Sequence, residues 1–450
     1  MHIEIEIPDD FQPERNYSIN VLLGYFDGIT WEVVVGESQK TTFRYKDKAF
    51  LVISDAFWSQ LDDRTLDYKN IKIPDSFSEF TIAFDEFNEQ IVSIFGKGVV
   101  SSSNGTLYLE SDIIASTFFL LSRWEEYAST KRDKHNRFPD EESFLVKNGL
   151  MHRPIVNEYI YFLKYLLSKV ANESIELNRS YEAFITHDVD EIYRFSPVRK
   201  FIKALAGDIV LRKSPKQFLL TCKEKWHQLT GKQNDPSDTF DFLMDTSEKY
   251  GLTSRFYFIP GEKGELDFRY SISDKKVITI IKKITSRNHI VGIHPSLETN
   301  GNKNAFNEEL KRLKNVSGLP ITEGRHHYLA FQVPYTWRFW ENNDLELDST
   351  LGFRTCAGFR CGMCYTFPVF DILERKILKV QELPLTFMEV ARSGNSISAQ
   401  DFEKDLVDLV QTVKTYQGDF VLLWHNNNLH HPFYRKYGKR YEALINQIAK

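Results

Sequence analysis

Cysteine is scarce in this chain, 4 in 450 residues, which excludes a secreted scaffold built on disulfides. Long apolar runs are missing as well. A stretch such as Ile113 to Leu121 is too short and interrupted to span a bilayer. The opening MHIEIEIPDDFQPERNY has neither the basic start nor the apolar centre of a secretory signal, so a cytoplasmic location is expected. Neither a dinucleotide-binding nor a P-loop type of glycine-rich phosphate loop occurs, and there is no internal repeat, which argues against nucleotide chemistry. Net charge is only −5, so no overall attraction for nucleic acid or an anionic membrane is expected.

What is present is the composition of a soluble globular protein with many aromatic side chains, 35 Phe and 21 Tyr. Aromatic clefts suit sugar stacking, although most such rings belong to cores. The length exceeds one ordinary core and suggests two or three domains. Up to about residue 110 the pattern reads as short strands, for example Tyr17–Leu23 and Thr30–Val35. Asp112 then stands as N-cap of a helix over 113–127, and a second helix starts near Pro154 and runs to Val170. A polar linker over 172–179 follows. From about 180, strands at 182–186, 254–259, 289–293, 321–323, 379–382 and 420–424 alternate with helices at 239–250, 275–287, 305–315 and 402–416. Such alternation implies a parallel sheet, open or closed into a barrel. We therefore divide the chain into an α+β unit, 1–178, and an α/β unit, 179–450.

The most informative stretch is Ile185-Thr186-His187-Asp188-Val189-Asp190. Side chains alternate along an extended strand, so Asp188 and Asp190 share a face. Two crowded carboxylates repel, and a bound cation or a shared proton relieves them. In a parallel β/α architecture the C-terminal ends of strands converge on one face. His294, the pair His326-His327, and His425 all follow strand candidates in this way. One histidine at a strand end is usually structural. Several of them with an aspartate pair point to a metal site.

These residues resemble a known family. Thr186 to Asp190, Gly292-Ile293-His294-Pro295-Ser296 and Leu422-Leu423-Trp424-His425-Asn426 resemble motifs of the polysaccharide deacetylases, carbohydrate esterase family four. Tyr250 to Phe258 is similar to that family's second strand. Asp348 to Phe353, Gly358-Phe359-Arg360 and Leu383-Pro384-Leu385 are spaced as in a bacterial branch with an extra N-terminal accessory domain, which Ser111 to Arg153 also resembles. The resemblance spans roughly 180–430. It implies a distorted (β/α) barrel of seven to eight strands, preceded here by the smaller α+β N-terminal domain, and one divalent metal, usually zinc.

By the same resemblance Asp188 is the catalytic base and His425 the acid that protonates the leaving amine. Asp190 is a metal ligand one position beyond the family's usual one, where Val189 stands, and His294 is the first metal histidine. The second histidine is expected four residues on, where Glu298 stands. Glu298 is one candidate for the third ligand; the other is an imidazole from His326-His327, with His327 preferred. Arg360 either steadies Asp188, contacts an anionic group of the substrate, or forms a structural ion pair. The implied reaction removes an N-acetyl group from a sugar or glycan precursor of bacterial surface polysaccharide. Two other readings stay open: a degenerate homologue that binds glycans without hydrolysis, and a metal hydrolase of another acyl or phosphate group.

Two features stand outside these motifs. Cys356, Cys361 and Cys364 are spaced C-x4-C-x2-C, but with no fourth ligand nearby they read as structural thiols. The stretch Arg194 to Lys232 is basic and interrupts the first strand–helix unit, from about 194 to 235. It reads as a solvated helical insertion, or as a lid or peripheral surface for an anionic lipid-linked substrate.

Overall fold

The computed structural model of the chain describes residues 1–450 except 83–88, 263, 265, 266, 268 and 393–396. The first eight strands are β1 (His2–Ile7), β2 (Thr30–Val35), β3 (Lys40–Tyr45), β4 (Lys48–Ser54), β5 (Ser78–Phe80), β6 (Ile91–Ser93), β7 (Gly96–Ser103) and β8 (Thr106–Ser111). Six of them make one sheet in the order β2-β1-β3-β4-β8-β7, and β5 pairs with β6. Tyr17–Leu23 is not a strand but the end of a helix, Gln12–Leu23. Its alternating apolar residues mimic a strand because the helix is buried on most sides, with Tyr17 packed on Phe118 and Phe370. Pro13 opens its first turn, where a missing N–H costs nothing.

Asp112 does cap the next helix, accepting from the Ala115 N–H at 2.9 Å. That helix, Ile113–Ser122, breaks at Arg123, which adopts a left-handed φ of 55° before the short helix Trp124–Ala128. The buried Arg123 guanidinium binds Glu125 and Glu126 at 2.6 and 3.0 Å. The helix Ile155–Ala171 follows, and 172–179 is no free linker: the Asp27 N–H donates to the Glu176 carbonyl and the Asn178 N–H to the Tyr25 carbonyl.

The remaining strands are β9 (Glu182–Val189), β10 (Ser254–Phe258), β11 (Ile290–Ile293), β12 (Glu323–Gly324), β13 (Leu347–Asp348), β14 (Phe367–Asp371), β15 (Lys376–Glu382), β16 (Phe387–Met388) and β17 (Asp419–Leu423). They form a nine-stranded sheet in the order β14-β15-β13-β12-β11-β10-β9-β17-β16. Every pairing is parallel except β14 with β15. Helices Phe240–Lys249, Lys275–Ser286, Lys303–Ser317 and Ala399–Thr415 lie between strands in the chain.

β15 and β16 stand near opposite ends of this order, yet only residues 383–386 separate them. Such a connection spans at most about 18 Å, so the sheet must curl. The connection crosses the gap: the Leu383 and Leu385 N–H groups bond the Asp348 and Leu351 carbonyls, and Thr386 N–H bonds the Val421 carbonyl. Inside the curl Leu383, Leu385, Met388, Val421 and Leu423 pack together, while Phe420 and Leu422 of the same strand, with Trp424 just after it, belong to the main core, where Trp424 packs on Phe402 and Tyr441. Burial on both faces explains the unbroken apolar run of β17.

Candidate active site

The strand ends converge as parallel pairing requires. β9, β10 and β11 lie side by side, and the C-terminal ends of β9 and β11 deliver Asp188, Asp190 and His294 to one place. Asp188 and Asp190 face the same way: His294 Nε2 lies 3.5 Å from Asp188 Oδ2 and 3.6 Å from Asp190 Oδ1. Next to β11, β12 is very short. At Gly324 a Cβ would sit 1.9 Å from the Ile293 carbonyl oxygen, so only glycine permits this approach. The backbone then turns, with Arg325 N–H on Ile293 O and His327 N–H on Pro295 O. Tyr328 and Leu329 both adopt left-handed φ, 59° and 51°, which is strained backbone of the kind that clusters at functional sites.

That turn aims His327 at the aspartates. Its Nε2 is 3.6 Å from Asp190 Oδ1, and its Nδ1 is 2.6 Å from Asp267. Asp190, His294 and His327 offer ligand atoms all within 4.8 Å of one another, and all three residues are buried. Asp190 Oδ1 and His294 Nε2 have no hydrogen-bond partner. Buried orphan polar atoms are costly, and a cation between them satisfies both. Outer contacts hold the imidazoles in place: His294 Nδ1 meets the Arg325 carbonyl at 2.5 Å, as Asp267 meets His327. Burial disfavours charge on His327, but Asp190 and Asp267 outweigh it and push its pKa up to about 9. One carboxylate and two imidazoles form a donor set that suits a divalent metal and leaves a coordination position open.

Arg325, fully buried, accounts for the other aspartate. Its Nη1 donates to Asp188 Oδ1 at 3.0 Å and to Thr186 Oγ1, and its remaining nitrogens hold the Ser349 carbonyl and hydroxyl. The Asp188 carboxylate is thereby fixed by one oxygen, with the other toward His294.

His425, after β17, completes the wall. Its Nδ1 faces Glu389 Oε1 at 2.8 Å, and the same carboxylate accepts from the His425 N–H and from Asn428 Nδ2. Burial pulls the His425 pKa down, yet Glu389, with the aspartates at 190 and 188, pushes it up to about 10. A cavity of about 450 Å³ connects Asp188, Asp190, His327 and His425. Apolar Met388, Val390 and Leu423 line part of it, and Arg137, Arg269 and Arg354, which face Asp133, Asp190 and Asp140, line another.

Three sequence expectations fall elsewhere. Arg360 does not reach Asp188; its buried guanidinium pairs with Glu126 of the Trp124–Ala128 helix at 2.8 Å and bonds the Gly352 carbonyl. That is the structural ion pair among its expected roles, and the contact with Asp188 is made by Arg325 instead. Glu298 is exposed and lines a separate cavity with Glu262 and Arg312, because the short helical turn Leu297–Thr299 carries it outward. His326 points away from its neighbour, stacked on Phe306 beside Trp340, and burial lowers its pKa to about 3. Cys361 and Cys364 are buried in the core, their thiol pKa values raised by burial.

Sequence reasoning passed over Arg325 as a positioning group and missed Glu389 and Asp267 altogether. Glu389 follows the Leu383-Pro384-Leu385 motif by four residues, which was a usable signal. Asp267 belongs to no strand or helix and left none.

Residues 3–172 match a family of unknown function, DUF7033. No curated protein matches the chain. Among solved structures the chain is similar to a protein of Mycobacterium smegmatis assigned as a polysaccharide deacetylase, at 13% identity and a TM-score of 0.39, covering 60% of this chain and 84% of that one. A polysaccharide deacetylase from Bacillus cereus is similar at 12% identity and a TM-score of 0.29, covering 60% and 86%. The catalytic domain of a peptidoglycan N-acetylglucosamine deacetylase from Eubacterium rectale is similar at 12% identity and a TM-score of 0.28, covering 60% and 83%. These overlaps are loose, and the chemistry rests on the residues themselves.

Proposed function

We propose that this chain is a metal-dependent hydrolase that removes the N-acetyl group from a sugar or glycan precursor, on a distorted (β/α) barrel. The observation that carries the reading is the cluster of Asp190, His294 and His327 with two unpartnered buried ligand atoms, set beside an arginine-held aspartate and a glutamate-held histidine. Zinc fits that donor set best, and when bound it would polarise the amide carbonyl and lower the pKa of a water.

The chain's own groups do the rest. Asp188, anchored by Arg325, takes the proton from the attacking water. As the carbon–nitrogen bond breaks, the nitrogen needs a proton, because an amide anion is a very poor leaving group. His425 supplies it from Nε2, since Nδ1 is committed to Glu389. Acetate and the free sugar amine result. The apolar patch of Met388, Val390 and Leu423 suits the acetyl methyl, and the three arginines suit a sugar with an anionic substituent. The testing experiment is acetate release from a panel of N-acetylhexosamine glycans and their anionic derivatives, with phosphate release measured in parallel. Phosphate without acetate would redirect the reading to another hydrolase.

The acid role gives a pH expectation. Glu389 stabilises the protonated imidazole, so removing its charge lowers the pKa of His425. In Glu389→Gln the alkaline limb of the rate profile is expected to move to lower pH by roughly 1–3 units. An unmoved alkaline limb would exclude His425 as the acid.

A further inference from the structure

We infer that the basic helical insertion is a docking surface for an anionic lipid bilayer. The insertion folds as two helices, Val198–Val210 and Pro215–Leu229, packed on each other. On the first, Val198, Ile202 and Ile209 are exposed by 58–65%, with half-buried Leu205 completing an i, i+4, i+7, i+11 stripe. On the second, Leu219, Trp226 and Leu229 are exposed by 63–70% at the same kind of spacing. Val210 and Leu211 at the turn are exposed too. Together these are 8 of the 17 large apolar side chains exposed among the described residues, within one short segment. That concentration is no scatter of single surface residues, which would need no explanation.

The charges around the stripes have one sign. Arg199, Lys203, Lys213, Lys216, Lys223 and Lys232 are exposed. The carboxylates of the segment are used internally. Asp208 takes Arg212 and the Thr221 hydroxyl, Glu224 takes Arg194 and Arg435, and Asp235 accepts the N–H groups of Arg194 and Phe195. A second copy of this chain laid on the stripes would bring these cations against their own kind. An anionic bilayer meets both features at once, taking the apolar side chains at the acyl boundary and the cations at the headgroups. No helix among the described residues is long and apolar enough to cross a membrane, so the contact is peripheral.

The surface is tied to the cavity. The Arg212 guanidinium lies 5.0 Å over the Phe433 ring, itself 59% exposed, and Arg435 pairs with Glu224. Between these partners, Tyr434, with nearby His431, lines the cavity. A docked insertion therefore sets the cavity wall beside the bilayer. The docking does not depend on the reaction assigned to the cavity.

The test is co-sedimentation of the full chain with vesicles of phosphatidylglycerol and phosphatidylcholine, against phosphatidylcholine alone, with tryptophan emission followed alongside. Wild type is expected to bind the mixed vesicles, not the neutral ones, and to shift its emission to the blue. Trp226→Phe should lose most of that shift. Each cation at an anionic surface contributes about fivefold in affinity, so Lys213→Glu/Lys216→Glu/Lys223→Glu should weaken binding on the order of 100-fold or more. Ile202→Ser/Leu219→Ser/Trp226→Ser should abolish it with the circular dichroism spectrum unchanged. The inference is overturned if wild type ignores anionic vesicles, if both triple variants bind like wild type, or if sedimentation velocity shows a dimer that the serine variant dissolves.

Discussion

Asp188→Asn is expected to lower acetate release by roughly 10²–10⁴-fold, the usual worth of a positioned general base. The substitution removes a negative charge and little else. An asparagine keeps an oxygen for Arg325 Nη1, and Arg325 keeps its bonds to Thr186 and Ser349. The unfolding transition should stay cooperative, and the circular dichroism spectrum should match wild type. The metal content should also persist, because Asp188 is outside the Asp190, His294 and His327 cluster. Loss of hydrolysis with metal retained separates a base from a ligand. Acetate release by the Asp188→Asn variant at the wild-type rate would remove Asp188 from the chemistry.

His327→Ala is expected to cost both metal and activity, more than the change of any group outside the cluster. The imidazole supplies one of three ligand atoms, and its loss leaves a carboxylate and a single histidine for the cation. The contact behind it offers a graded companion. Asp267 holds Nδ1 of His327 and so presents Nε2 to the site; Asp267→Asn should weaken metal binding by roughly 10–100-fold. Glu298→Ala is the control, since Glu298 is exposed in a different cavity, and it should leave metal and hydrolysis unchanged. Equilibrium metal competition with a chromophoric chelator measures all three. Loss of metal in Glu298→Ala with none lost in His327→Ala would reverse the assignment of the third ligand.

How much of this was legible depended on whether local pattern or tertiary packing set each feature. β9, β10, β11 and β17 are rich in apolar residues, most of them buried, and they stood out in the sequence. β12, β13 and β16 are two residues each, held by neighbouring strands and not by any period of their own, and the latter two left no readable pattern. The Gln12–Leu23 helix was mistaken for a strand because burial on most sides erased its polar face. Asp188, Asp190, His294 and His425 were legible because each directly follows or ends an apolar run. Arg325 and Arg360 could not be told apart in sequence. Both are lone arginines near motif residues, and only the fold puts one on Asp188 and the other on Glu126. Likewise the geometry of Gly324 and the strained turn at Tyr328 and Leu329 decides which of two adjacent histidines faces the aspartates.

Asp190, His294 and His327 are proposed to hold one divalent cation, and elemental analysis of chelator-stripped protein, reloaded with zinc and desalted, decides it. Wild type is predicted to retain one zinc per chain and Asp190→Ala/His327→Ala to retain none. A wild type without stoichiometric metal, or a double variant that holds as much as wild type, would mean that this cluster is not a metal site.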